Sequence, residues 1–292
     1  MPDLKPYIAL GLALGGVYSM SGVGLVVLYR ATGVLNLAYG AVGAMGALIS
    51  WSLINDAEIN QWLAYAACIL FGGVVTLAYG WLLGPPFASR EPLVKATATI
   101  GFMLILLGAM QWYWDAALGR TMLLPTSTNN YEPLDGIRVS QTQLIGMAFP
   151  IIVTVVTAIY LRVTRVGTAM RALADDREAT AMLGVPVRRV EAAAWFGCGL
   201  LAGFTGLLMS NLVSLDSVSL TFIVVPGLAA ALISQLKSLW VTLAAGFVIG
   251  LVQSCLTGFN SLADYRTMTP FVLAFVALLW LGARGRTQER LS

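Results

Sequence analysis

Residues 7–29 read Tyr-Ile-Ala-Leu-Gly-Leu-Ala-Leu-Gly-Gly-Val-Tyr-Ser-Met-Ser-Gly-Val-Gly-Leu-Val-Val-Leu-Tyr, 23 residues without an Asp, Glu, Lys or Arg. As a helix rising ~1.5 Å per residue, such a run covers ~30 Å of hydrocarbon. It is too long for the core of a signal peptide, and Met1-Pro2-Asp3-Leu4-Lys5 before it lacks a basic n-region, so it reads as an uncleaved first span. The question for the rest of the chain is whether this stretch stands alone.

It does not. Eight further charge-free apolar stretches follow, at 34–54, 62–84, 96–114, 142–161, 192–213, 220–236, 239–259 and 270–281. The whole 292-residue chain is 58% apolar and 11% charged, where a soluble domain carries roughly 25% charged residues. Its mean hydropathy is +0.81. Too few charges are present to coat a globule of this size. The expected fold is therefore an all-α polytopic membrane protein, one domain over 1–292, with about nine transmembrane or re-entrant helices. The seventh and ninth stretches are short, and the seventh is open to a re-entrant reading.

Basic residues set the orientation. Arg162, Arg165, Arg171, Arg177, Arg188 and Arg189 crowd the segment 162–190, and Arg284, Arg286 and Arg290 occupy the tail. Both belong on the cytoplasmic side, and the four spans between them satisfy that parity. Counting backwards places Arg30, Arg90 and Lys95 inside and the N-terminus outside, with 115–141 as a long external loop. Glycine pairs at 11/15, 40/43/46, 199/203 and 246/250 have the spacing that lets helix backbones approach closely, either within this chain or against another subunit.

Several function classes fall away. The chain has no histidine, which removes imidazole bases and His-ligated metal sites. Cys68, Cys198 and Cys255 lie in apolar runs with no CxxC spacing, so they read as buried free thiols. No catalytic residue and no metal ligand is assigned. No lysine follows glycine in a P-loop pattern, so ATP hydrolysis in this chain is not expected. Proton relays through intramembrane acids have no acids to use. A small net charge of +3 gives no reason to expect a nucleic-acid partner. A transporter lacking its own motor needs a cytoplasmic surface on which a motor can push.

Residues 168–187 suit that purpose. Asp175 is expected to cap a short helix over 176–183, with Glu178 three residues on as a capping-box partner. Gly184 fits the left-handed position past its end, and Pro186 follows. Ala179, Met182 and Leu183 fall on one face. The candidate docking residues are thus Asp175, Asp176, Arg177, Glu178, Ala179, Met182, Leu183 and Gly184.

Polar or helix-breaking residues inside apolar spans are candidates for a passage. Most Ser and Thr can bond their own helix backbone; Asn36 and Gln253 lack that escape. Tyr39, three residues from Asn36, is expected to share its face, with Gly40 beside it. Pro226-Gly227 is expected to interrupt the seventh span, as broken helices at membrane depth often do beside a path.

The stretch from Arg171 through Asp175-Asp176-Arg177-Glu178-Ala179 to Leu183-Gly184-Val185 resembles the "RA…D.E.A..LGI" segment of LivH-type permease subunits, which belong to ABC importers for branched-chain amino acids. It also approximates the EAA motif of importers, with Thr180 departing from the second alanine. Residues 11–18 resemble that family's opening helix. Residues 33–40 resemble its "INFAHG" segment, with Tyr39 at the usual histidine and Ala41 at the usual acid. Residues 202–208 resemble its "LAGLAG". The resemblance implies a coupling helix at 168–187 seated in an ATPase. It also implies a second, LivM-like permease, two cytoplasmic ATPases that bind the ATP, an external substrate-binding protein, and residence in the cell's inner membrane. Relatives of the family move urea, short amides and aromatic acids as well. A stand-alone secondary carrier is the alternative of another class.

Overall fold

The computed structural model describes residues 5–87, 90–114, 120–122, 126, 130–134, 137–259 and 263–289. Twelve α-helices account for most of them: α1 Lys5–Thr32, α2 Tyr39–Asn55, α3 Gln61–Phe87, α4 Pro92–Tyr113, α5 Gln141–Val163, α6 Arg165–Asp175, α7 Arg177–Met182, α8 Val187–Leu212, α9 Ser217–Thr221, α10 Val224–Ile233, α11 Leu239–Thr257 and α12 Thr269–Glu289. A 3₁₀ turn, Ala263–Met268, leads into α12. A two-stranded antiparallel hairpin, β1 Asn130–Leu134 and β2 Ile137–Ser140, lies within the stretch expected to be the 115–141 loop. Other parts of that loop, and Arg290 of the tail, fall outside the described residues.

Six of these helices, α1, α3, α4, α5, α8 and α11, are long and apolar enough to cross a membrane, so the chain is an all-α multi-pass membrane protein. The other three apolar stretches form α2 at 17 residues, the divided pair α9–α10, and α12. α1 is the axis of the bundle: 83% of its apolar window is buried, against 17% in α4 and 22% in α5. α5, α8, α10 and α11 all pack on α1, and α2 and α3 pack on α8. Lipid tails are as apolar as Leu, so burial of apolar surface does not drive helices together here; close van der Waals fit does.

The glycine pairs supply that fit. Gly11 and Gly15 on α1 face Gly246 and Gly250 on α11, and a Cβ on Gly15 would lie 2.8 Å from the Phe247 Cα. Gly43 of α2 meets Ala202 and Gly206 of α8, and Gly46 meets Cys68 of α3. Gly199 and Gly203 of α8 rest on Gly72 and Cys68. The Thr76 hydroxyl fixes this last contact by donating to the Trp195 carbonyl at 2.8 Å. The spacing read from the sequence is therefore used between helices of this one chain.

Two expected helices are shorter than the apolar pattern suggests. The 34–54 stretch begins its helix only at Tyr39; residues 34–38 are not helical, after Gly33 turns the chain at φ +68°. The 220–236 stretch is also divided, but at Phe222–Ile223 rather than at Pro226-Gly227. Pro226 is the third residue of α10, where its missing N–H costs nothing. Its ring is incompatible with the helical carbonyl four residues back, which is that of Phe222. The proline therefore ends α9 upstream and starts α10, and tighter bonds bridge the gap: Ile223 N–H to the Leu220 carbonyl at 3.3 Å and Val225 N–H to Phe222 at 3.0 Å.

Candidate functional site

Two regions hold most of the residues singled out from the sequence. The first is the Arg-rich segment between α5 and α8. The Thr164 side chain caps α6 by accepting from the Gly167 N–H at 2.9 Å. α6 is amphipathic and lays Gly167, Met170 and Leu173 inward. The chain then bends at Asp176, in extended backbone, and starts α7.

Asp176, not Asp175, caps α7: its Oδ1 accepts from the Ala179 N–H at 3.0 Å. Asp175 is instead the last residue of α6. The capping box expected with Glu178 does not form, because Glu178 sits at the second helical position, one short of the place from which it could reach back. Its carboxylate still lies in the first turn, on the favourable end of the helix dipole. Gly184 adopts φ +79°, the left-handed conformation expected of it, and its N–H bonds the Ala181 carbonyl at 3.0 Å.

Of the expected apolar face, Ala179 is half-buried, whereas Met182 and Leu183 are each 83% exposed. Thr180 is buried, its hydroxyl returning to the Asp176 carbonyl at 2.6 Å. Arg177 pairs with Glu191 in the first turns of α8. This pair is invisible in sequence, since its members lie 14 residues apart with a helix end and a proline between them.

The second region is the meeting point of the two interrupted segments, inside the bundle. Asn36 is 2% exposed, and its amide reaches the Cys198 Sγ at 3.9 Å. It lies in the non-helical 34–38 link, so it does not share a helix face with Tyr39 as expected. The link is held by Thr99 of α4, whose hydroxyl donates to the Leu35 carbonyl at 2.9 Å and accepts from the Leu37 N–H at 3.1 Å. Irregular backbone within a membrane bundle requires such partners.

Tyr39 opens α2, wholly buried, with its hydroxyl 2.9 Å from Thr205 Oγ1. Its ring lies against Gly24 of α1. Gly40 takes the Thr221 carbonyl of α9 so closely that a Cβ there would come within 2.0 Å. Gly227 of α10 packs on Ser21 and Gly22 of α1. The structure thus sets Tyr39 and Gly227 against α1 between Ser21 and Gly24, with Pro226 buried beside Gly227, Gly40 against Thr221 of α9 and Asn36 against Cys198 of α8. Gln253 is separate. It lies half-buried on α11, beside Tyr18 of α1, with its Oε1 buried and unpartnered.

Thr99 and Thr205, which brace this junction, were not among the residues expected. Each is one threonine in an apolar helix, indistinguishable in sequence from those that only back-bond.

The profile described as "Branched-chain amino acid transport system / permease component" matches residues 7–280. The chain is 23% identical to the high-affinity branched-chain amino acid transport system permease protein LivH of Escherichia coli K12, over 95% of this chain and 94% of that one. It is 22% identical to the permease protein BraD of Pseudomonas aeruginosa, described in the same terms, over 99% of both. It is also 26% identical to the permease protein LivM of Escherichia coli K12, over 66% of this chain and 50% of that one. With nearly its whole length matched, this chain belongs to the family of permease components of branched-chain amino acid transport systems.

Proposed function

We propose that this chain is the membrane-spanning permease subunit of an ABC importer for branched-chain amino acids, moved by separate ATPases. The observation that carries the reading is α7. It is a six-residue helix, capped by Asp176 and stopped by Gly184, that holds two bare apolar side chains, Met182 and Leu183, away from the bundle. A knob with a charged base and an apolar tip fits a groove in a partner protein. The matching relatives are named as permease proteins of transport systems, which accords with a motor on another chain.

In this reading α7 is the coupling helix and the Arg-rich 162–190 segment is cytoplasmic. The nine apolar segments cross or enter the membrane with the N-terminus outside and the C-terminus inside. A LivM-like sister permease completes the passage, two ATPases bind and hydrolyse the ATP, and an external binding protein delivers the substrate. The membrane is the inner, cytoplasmic one.

The passage runs beside the junction of the two interrupted segments. There, unwound backbone at 34–38 and the break at Phe222–Ile223 allow α2 and α9–α10 to shift relative to α1. Among the described residues no ionised group lines that junction, so the binding protein sets specificity and the permease provides a small, uncharged route. Reconstitution of this chain with its partners tests the assignment. ATP-dependent uptake of labelled leucine is expected, competed by isoleucine and valine and not by urea, short amides or aromatic acids. Competition by one of the latter would reassign the substrate, and uptake by this chain alone without ATP would make it a secondary carrier.

A further inference from the structure

We infer that the Arg177–Glu191 ion pair is the strut by which α7 drives the membrane helices, an inference that rests on the reading of α7 as the coupling helix. α7 makes its main backbone contacts with α6 alone. Its link to α8 is a side chain: the Arg177 guanidinium pairs with the Glu191 carboxylate. Glu191 is 15% exposed and Arg177 37%, so the pair sits partly out of water at the cytoplasmic end of the bundle. There, Glu191 is the partner that solvent reaches least, and removing Arg177 leaves it the less compensated charge.

What surrounds the pair fixes its purpose. Arg177 and Glu191 line one recess together with Thr32 at the end of α1, Tyr79 of α3, Lys95 of α4 and Trp195 of α8. The ends of four membrane helices therefore converge where α7 makes its ionic contact. Behind Glu191, α8 continues as one unbroken helix to Leu212. Trp195 is bonded through its carbonyl to Thr76, and the same helix carries Cys198 and Thr205, the partners of Asn36 and Tyr39. A displacement of α7 pulls on Glu191 and, one helix further, on the junction of the interrupted segments. An ion pair suits this task because it resists both pull and push without requiring α7 to be welded to α8 by packing.

The test uses the complete importer in proteoliposomes with saturating binding protein, reading substrate moved per ATP hydrolysed and retention of the ATPases on the purified permeases. Arg177→Glu and Glu191→Arg, singly, are each expected to lower substrate per ATP by about tenfold while the ATPases remain bound; the two together are expected to restore it to within about threefold. Wild-type coupling in the single variants, or a double variant no better than the singles, overturns the inference. Should a reversal fail to yield a monodisperse complex, Arg177→Gln and Glu191→Gln serve instead. Two members of one strut give a double variant no worse than either single, whereas additive losses overturn the inference. Leu183→Asp is the separate arm. If it leaves both ATPase retention and uptake at wild-type levels, α7 is not the docking helix, whatever the pair does.

Discussion

Gly15 of α1 and Gly250 of α11 touch backbone to backbone: a Cβ on Gly250 would lie 2.2 Å from the Gly15 amide nitrogen and 2.3 Å from its Cα. No rotamer relieves such a clash, because the obstacle is main chain. Gly250→Val is therefore expected to force α11 off the central helix, at a cost of about 1–3 kcal/mol or more, with a lower thermal midpoint in detergent. Gly101 of α4 is the control. Nothing lies within 4 Å of its missing Cβ, so Gly101→Ala should leave the midpoint unchanged or slightly raised, alanine being the better helix former by up to about 1 kcal/mol.

Tyr39→Phe removes one hydrogen bond and no volume. Its partner Thr205 is not orphaned, since it also donates to the Leu201 carbonyl at 2.6 Å. The expected loss is about 0.5–1.5 kcal/mol of stability. Tyr39 is 1% exposed, and its hydroxyl braces the junction from within. The KM for uptake should accordingly stay within about twofold of wild type while the thermal midpoint falls. A shifted KM at unchanged stability would place the hydroxyl on the substrate's route.

Met182→Asp and Leu183→Asp put a charge on the exposed tip of α7 and touch nothing inside the bundle. Each is expected to weaken ATPase retention on the permease by at least about tenfold, as loss of an apolar anchor at an interface does. Membrane insertion and thermal stability should not change. Co-purification of the ATPases together with a melting curve separates these effects.

How far sequence alone reaches depends on the range of the interaction. The apolar stretches, Gly184 at the end of α7 and the glycine pairs were legible because each depends on length, on one backbone angle or on a fixed spacing. The partners of the glycines were not, because which helix faces Gly11 and Gly15 is a tertiary choice. Pro226 marks a break in the sequence, but the break falls at Phe222–Ile223, since a proline disrupts the turn before itself. The role of Asn36 depended on where α2 begins. An apolar run of 34–54 does not reveal that its first five residues stay out of the helix, with Leu35 and Leu37 bonded to Thr99. The Arg177–Glu191 pair needed both the bend at Asp176 and the entry angle of α8.

The choice between Asp175 and Asp176 is the sharpest case, because the two carboxylates are adjacent and chemically identical. Asp176 caps α7 only because α6 carries helical backbone through Asp175 and then stops, leaving Asp176 extended at φ −151°. A helix of six residues has almost no stability of its own, so this cap matters more here than in a long helix. Asp176→Ala is expected to cost α7 about 0.5–2 kcal/mol, visible as faster amide hydrogen exchange over 177–182 and a several-fold drop in uptake. Asp176→Asn keeps an accepting oxygen and should restore both, which separates capping from charge. Asp175→Ala should change neither. The carboxylate it removes sits at the C-terminal end of α6, where the helix dipole disfavours negative charge. Equal losses from Asp175→Ala and Asp176→Ala would mean that the segment needs two negative charges rather than one cap.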